Sequence, residues 1–154
     1  MNLDKPEVTQ ELLQAGESYM TLFQTEFGNI FLIAEKPILV CEFVTEYVPI
    51  DNFQELFLKM SEFVAQYSIK KIIFDKRMLT TFHQPSMEWY FITWKKDMLE
   101  LGLKTHRKIL PNSAPWFKKA VEAGHQSIKR NNPNNIIDQL DIAYRDSIGE
   151  AIAD

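Results

Sequence analysis

The run Lys71-Ile72-Ile73-Phe74-Asp75 constrains this chain more than any other segment. Successive side chains of a strand point to opposite faces, so Ile72, Ile73 and Phe74 together need apolar cover on both sides. That is the condition of an inner strand in a helix-covered sheet. The flanking patterns supply the cover. Asp51 suits an N-cap, with Gln54 and Glu55 near the capping-box position, and Phe53, Leu56, Phe57, Met60, Phe63, Val64 and Tyr67 then recur at helical spacing. Downstream, Pro85 suits a first helical turn, and the spacing predicts a helix to about Gly102, a natural stop.

Upstream, residues Thr21 to Glu26 and Asn29 to Ala34 read as two strands joined at Gly28-Asn29, a pair that favours a tight hairpin. A third strand spans Ile38 to Tyr47, where Leu39, Cys41, Phe43 and Tyr47 alternate with Val40, Glu42, Val44 and Glu46, the acids marking the wetter face. Thr105 to Leu110 reads as a strand ended by Pro111, and Pro115 opens a helix that the cluster Asn131 to Asn135 must break. Leu140, Ile142 and Tyr144 suggest a last strand, and Ser147 the cap of a closing helix; one longer helix from Asn135 is the alternative. The order βββαβαβα(βα) defines an α/β fold: a mixed β-sheet, an antiparallel meander followed by βαβαβα, with helices packed on it. Residues 19–154 form one domain. Residues 1–18, with Val8, Leu12 and Leu13, read equally as a loose arm or a short docked helix.

Eleven Phe, five Tyr and three Trp against five Gly in 154 residues provide enough apolar mass to order the chain. A single Cys41 in an apolar run excludes an internal disulfide and fits a reduced core residue. The start Met1-Asn2-Leu3-Asp4-Lys5-Pro6 lacks signal-peptide character, and no stretch approaches the ~20 apolar residues of a membrane span, so a cytoplasmic location is expected. A formal charge of -4 is too mild to argue for nucleic acid. The charge is unevenly spread: residues 1–69 carry -8, residues 70–130 +8 and residues 131–154 -4. The basic middle either forms one positive face for an acidic partner or is neutralised by adjoining acidic segments, and the second reading is favoured.

His83, His106, His125 and Cys41 show no metal-ligand spacing, and the five glycines lie at least twelve residues apart, which removes the clustered-Gly nucleotide motifs. Neither a metal nor a cofactor is expected. Asp75 at a strand end, His83 in the following loop and Ser86 in the next helical turn form one constellation worth weighing. Ser86 stands where a phosphate is readily held or added, and the three together form a candidate phosphoacceptor or anion site. A Ser-His-Asp hydrolase lacks its Gly-x-Ser-x-Gly motif here, so no enzyme is expected. The plainer reading is favoured: Asp75 ties down its loop, Ser86 bonds the helix start and His83 faces solvent.

On the helix after Pro85, Met87, Tyr90, Phe91, Trp94, Met98 and Leu101 form one apolar stripe, while Trp89, Ile92 and Leu99 lie opposite, with Lys96 among them. A helix apolar on two sides has a second packing partner. Trp89, Ile92, Lys96 and Leu99 therefore form a candidate interaction surface for a protein partner, a second copy in a homodimer or the N-terminal arm; partial burial by a neighbouring helix or loop is the alternative. A pocket for an apolar small molecule beneath the helix is a third use.

The segments Ile72-Ile73-Phe74-Asp75, Pro85-Ser86-Met87-Glu88-Trp89, Leu101-Gly102-Leu103-Lys104, Ile109-Leu110-Pro111 and Ile142-Ala143-Tyr144-Arg145-Asp146-Ser147 resemble the STAS-like (SpoIIAA-like) family of small bacterial proteins. By order of elements the resemblance covers residues 19–154. It implies a mixed sheet with helices and non-enzymatic signalling through protein contact. Some members carry a Ser at the start of the second helix that a kinase phosphorylates, a position that Ser86 matches here. The family's signalling members show Asp-Ser before a Gly-rich helix start, where this chain has Pro85-Ser86-Met87-Glu88-Trp89. The likeness of some relatives to SEC14-type domains implies an apolar or lipid-like ligand as the alternative.

Overall fold

A computed structural model describes residues 7–81, 83–111, 115–132 and 137–154. These residues form an α/β fold around a six-stranded mixed sheet whose strands lie side by side in chain order. Strands β1 (Met20–Gln24), β2 (Gly28–Ile33) and β3 (Ile38–Phe43) are antiparallel; β4 (Lys71–Asp75), β5 (Thr105–Ile109) and β6 (Asp141–Tyr144) continue parallel to β3. The expected mixed sheet, meander first and parallel crossovers after, is what forms, and the last strand is preferred over a longer terminal helix.

Helices cover both faces, as the inner run demanded. On one side lie α1 (Val8–Gln14) and α6 (Ile148–Ala153), packed on Phe31, Ile33, Val40, Ile73 and Ile109. The other side carries α2 (Ile50–Tyr67), the helix from Gln84 to Glu100 and α5 (Pro115–Asn131), over Leu39, Cys41, Ile72 and Phe74. Ile72 and Phe74 thus face one layer and Ile73 the other, which accounts for the unbroken apolar run. Within residues 1–18, the described part is the docked helix α1, its Val8 and Leu12 fully buried.

Three local expectations are corrected. The first hairpin does not turn at Gly28-Asn29: both residues lie in β2, and the turn is Thr25-Glu26-Phe27, closed by Thr25 Oγ1 accepting from the N–H groups of Phe27 and Gly28. Gly28 is needed for close approach, since a Cβ there would lie 2.8 Å from Leu56 Cδ2 and 2.9 Å from the Glu42 carbonyl oxygen. Strand β3 stops at Phe43 because its partner β2 begins at Gly28, and its acid is not on a wet face. Glu42 is buried under α1, where its carboxylate accepts from the Val8 N–H and from Asn29 Nδ2. Finally, α2 starts one residue before Asp51, with Pro49 at the N-cap and no side-chain cap.

The helix from Gln84 to Glu100 is not uniform. An α-helical turn, α3 (Gln84–Glu88), passes into a π-helical segment (Trp89–Trp94) and then into α4 (Lys95–Glu100). A π segment widens the turn and recurs at functional sites. In a regular α-helix Lys95 would stand ~40° round from Phe91. The wider turn brings it inward, and Lys95 is fully buried beside Tyr90, Phe91 and Trp94. Trp94 is held by its Nε1–H, which donates to the Phe57 carbonyl and to Ser61 Oγ, both at 2.9 Å.

Candidate anion site

The pairing register places Cys41, Phe74, Lys108 and Tyr144 in one row across β3, β4, β5 and β6. Residues two apart share a face, so His106, Lys108 and Leu110 all point toward the π segment, as do Phe74 and Lys76. Lys76 extends the ladder just past β4, its N–H donating to the Ile109 carbonyl at 2.8 Å. Three lysines from three elements therefore converge at the carboxyl ends of β4 and β5: Lys76, Lys95 on α4 and Lys108 on β5.

Aromatic rings form the walls. Lys95 Nζ lies 4.0 Å from the Phe91 ring centroid and 4.6 Å from that of Tyr90; Lys108 Nζ lies 4.5 and 5.2 Å from the same two rings. Lys76 Nζ is 5.0 Å from Tyr90 and 5.5 Å from Phe74. Exposure is 0% for Lys95, 1% for Lys108 and 8% for Lys76. Among the described residues no acceptor oxygen reaches Lys95 Nζ or Lys108 Nζ, and the Tyr90 hydroxyl and both His106 ring nitrogens also lack partners.

Burial without counter-charge disfavours every ammonium here. Desolvation, followed by the charge of Lys76, holds Lys95 well below the usual lysine range, and desolvation with Lys95 and Lys76 does the same to Lys108. Lys76 is lowered to about 8 by desolvation, partly relieved by Cys41. His106 is pushed well down by burial and by the three lysines, while burial raises both the Tyr90 hydroxyl and the Cys41 thiol. The arrangement can do what bulk water cannot: offer several nitrogen donors and a phenol to an anion inside a low-dielectric shell.

A cavity of about 410 Å³ adjoins the lysines, lined by Phe91, by Glu122, His125, Gln126 and Lys129 of α5, and by Asp138, Leu140, Ile142 and Tyr144 at β6. Phe91 links the two, being one wall of the cavity and the ring closest to Lys95, while the three lysines themselves lie outside the cavity lining. His125 meets Phe91 edge-on at 4.3 Å, and burial with the nearby lysines lowers its pKa to about 2, so it stands there as neutral imidazole.

The residues singled out from sequence are partly brought together. His83 Nδ1 and Ser86 Oγ are 3.1 Å apart, but Asp75 does not join them. Its carboxylate accepts from the Arg77 N–H, Nε and Nη2, and Arg77 continues to Glu11 on α1, on the opposite side of the sheet. Ser86 is buried and His83 half-buried, so the reading of Asp75 as a loop tie holds, whereas His83 is not fully solvent-facing. Trp89 and Ile92 are half-buried against the same core as α2, Trp89 meeting Phe53 and Phe57 edge-on; Leu99 is half-buried and Lys96 exposed.

The basic middle of the chain divides. Arg107 pairs with Asp141 and Asp154, and Lys129 with Asp138, which is neutralisation by neighbours, while Lys76, Lys95 and Lys108 go inside. These three were the residues that sequence reasoning missed as a site. Lys108 alternating with His106 and Leu110, and Lys95 one position past Trp94, were the available signals. No group of acids, His and Cys suited to a metal occurs among the described residues, nor any helix long and apolar enough to cross a membrane. Compared with family models, curated proteins and solved structures, the chain matches none.

Proposed function

We propose that this domain binds a small organic anion in the lysine chamber at the carboxyl ends of β4 and β5. One observation carries the reading: Lys95 and Lys108 are fully buried, and among the described residues no hydrogen-bonding anion stands beside them. Leaving an ammonium buried and unpaired costs several kcal/mol, a large share of a typical domain's ~5–15 kcal/mol. The site lies where open α/β sheets gather ligands, and the adjoining cavity of about 410 Å³ suits a small molecule. This keeps the ligand-binding alternative inferred from sequence and changes its chemistry from apolar to anionic with aromatic walls. In this reading the domain works without turnover in a reducing cytoplasm, a setting that the buried thiol of Cys41 suits. STAS-like membership is carried alongside as a proposal resting on the order of elements.

The test is calorimetric titration of the full chain with succinate and with inorganic phosphate near neutral pH, repeated with Lys95→Met. Saturable binding with proton uptake, abolished in the variant, is expected. Heat-silent titrations, together with a bare mass for protein taken natively from cells, remove the reading.

A second reading, contact with a protein partner through Trp89, Ile92, Lys96 and Leu99, draws support from the partial exposure of the three apolar members. It requires that Trp89→Glu change the assembly state or the partners captured.

A further inference from the structure

Resting on the anion reading, we propose that the ligand is a monocarboxylate with a short apolar body: the body lies in the cavity between α5 and β6, and the carboxylate reaches Lys95 and Lys108 by taking the place of the Phe91 ring. The pairing register is the first reason. Ile142 and Tyr144, which line the cavity, are the β6 partners of His106 and Lys108 on β5, so cavity and lysine chamber stand side by side on one face of the sheet, one strand spacing of ~4.8 Å apart. The rings are the second. Lys95 and Lys108 each lie over Tyr90 and Phe91, and of these two rings only Phe91 also lines the cavity. Its centroid is 4.0 Å from Lys95 Nζ and 4.5 Å from Lys108 Nζ, so a carboxylate centred there brings its oxygens within reach of both amines.

The ring is thus a stopper between a cavity that has room and amines that have no acceptor among the described residues. Phe91 is buried and meets His125 edge-on at 4.3 Å; rotation about its side-chain bonds moves the ring off the amines and into the cavity. At about 410 Å³ that cavity falls within the ~300–1,000 Å³ of pockets that hold drug-sized molecules, so it takes the turned ring and a body of one ring's size together. The amines exchange the attraction of a ring quadrupole for charged hydrogen bonds. The lining sets the rest of the ligand. Leu140, Ile142 and Tyr144 give an apolar floor, while Lys129 is engaged by Asp138 at 3.3 Å, which leaves the exposed carboxylate of Glu122 uncompensated among the described residues. A second carboxylate on the ligand would meet that charge, so the lining selects one anionic end and one apolar end.

The experiment is calorimetric titration of the full chain near neutral pH with 3-phenylpropionate, succinate and the uncharged 2-phenylethanol. It is run on the wild type, on Gln126→Trp, which fills the cavity from an exposed position of α5, and on Phe91→Ala, with thermal melts showing the variants folded. 3-Phenylpropionate is expected to bind at least tenfold tighter than either comparison compound, to weaken at least tenfold in Gln126→Trp and to tighten at least fivefold in Phe91→Ala. Succinate binding as tightly as 3-phenylpropionate, or more tightly, overturns this ligand class and leaves the anion reading standing. Equal binding of 2-phenylethanol removes the role of the carboxylate and overturns the proposal, as does full affinity in Gln126→Trp. A folded Phe91→Ala with unchanged or weaker binding overturns displacement of the ring; should that variant not fold, Phe91→Leu is read in its place. No binding of either carboxylate overturns both readings.

Discussion

Lys95 and Lys108 come from a helix and a strand, yet their amines lie 4.0 and 4.5 Å from the centroid of the same Phe91 ring. Each is enclosed by aromatic carbon, which attracts a cation through its quadrupole but supplies only about 0.5–2 kcal/mol per contact. That is too little to offset the loss of hydration, so the pair sits at a local maximum of electrostatic cost.

Replacing either lysine by a residue of similar shape and no charge therefore stabilises the empty protein. Lys95→Met or Lys108→Met is expected to raise stability by ~1–3 kcal/mol, by analogy with buried ionic groups exchanged for apolar ones. For a domain of this size each kcal/mol appears as about 2–4 °C in the melting temperature. Scanning calorimetry of the apo proteins reads it, and a drop in melting temperature contradicts it.

The apo protein is expected to gain stability as pH rises. Lys76 titrates at about 8 in the folded chain against 10.5 unfolded, so between those values the unfolded chain holds a proton that the native one has released. Unfolding is then suppressed by alkali, by on the order of 3 kcal/mol across the whole interval. Lys95 and Lys108 are lowered further and extend the same trend to lower pH, and below 6.5 His125, at about 2 when folded, continues it toward acid. Above 9.0 the buried Cys41 thiol, whose pKa is raised, opposes the rise. Melting curves from neutral pH to 9.0 check it, and saturating succinate should flatten the slope, because the anion favours the protonated amines.

Gly28→Ala places a methyl group 2.8 Å from Leu56 Cδ2 and 2.9 Å from the Glu42 carbonyl. One neighbour is backbone and cannot yield without disturbing β3. A loss of ~1–3 kcal/mol is expected from the overpacking, measured by chemical denaturation.

Arg77 joins two layers, with Asp75 on the sheet and Glu11 on α1. The pairs are only partly screened, their side chains being between 3% and 25% exposed. Arg77→Ala should cost ~1–3 kcal/mol, less than a wholly buried pair, and should speed amide exchange in α1 before any other helix. Uniform exchange across all helices would contradict that order.

Much of the fold was legible because it is written in periods. The helical spacing of α2 and the two-sided apolar run of β4 each require one kind of cover. What failed was local: Gly28 serves helix approach rather than a turn, and Glu42 is roofed by α1, a contact between residues 34 positions apart that no window of sequence contains. The site was hidden for a related reason. Lysine on a basic segment reads as solvent-facing, and only the register that aligns Lys108 with Phe74, together with the widened turn before Lys95, shows that these charges meet indoors.

The π segment also makes the count of residues in this helix matter. A kindred chain one residue shorter between Trp89 and Trp94 would wind as plain α-helix, keep the same sheet and lose the crowding of Tyr90, Phe91, Trp94 and Lys95 on one flank. The length of that short stretch thus decides whether the amine of Lys95 shares a flank with those three rings.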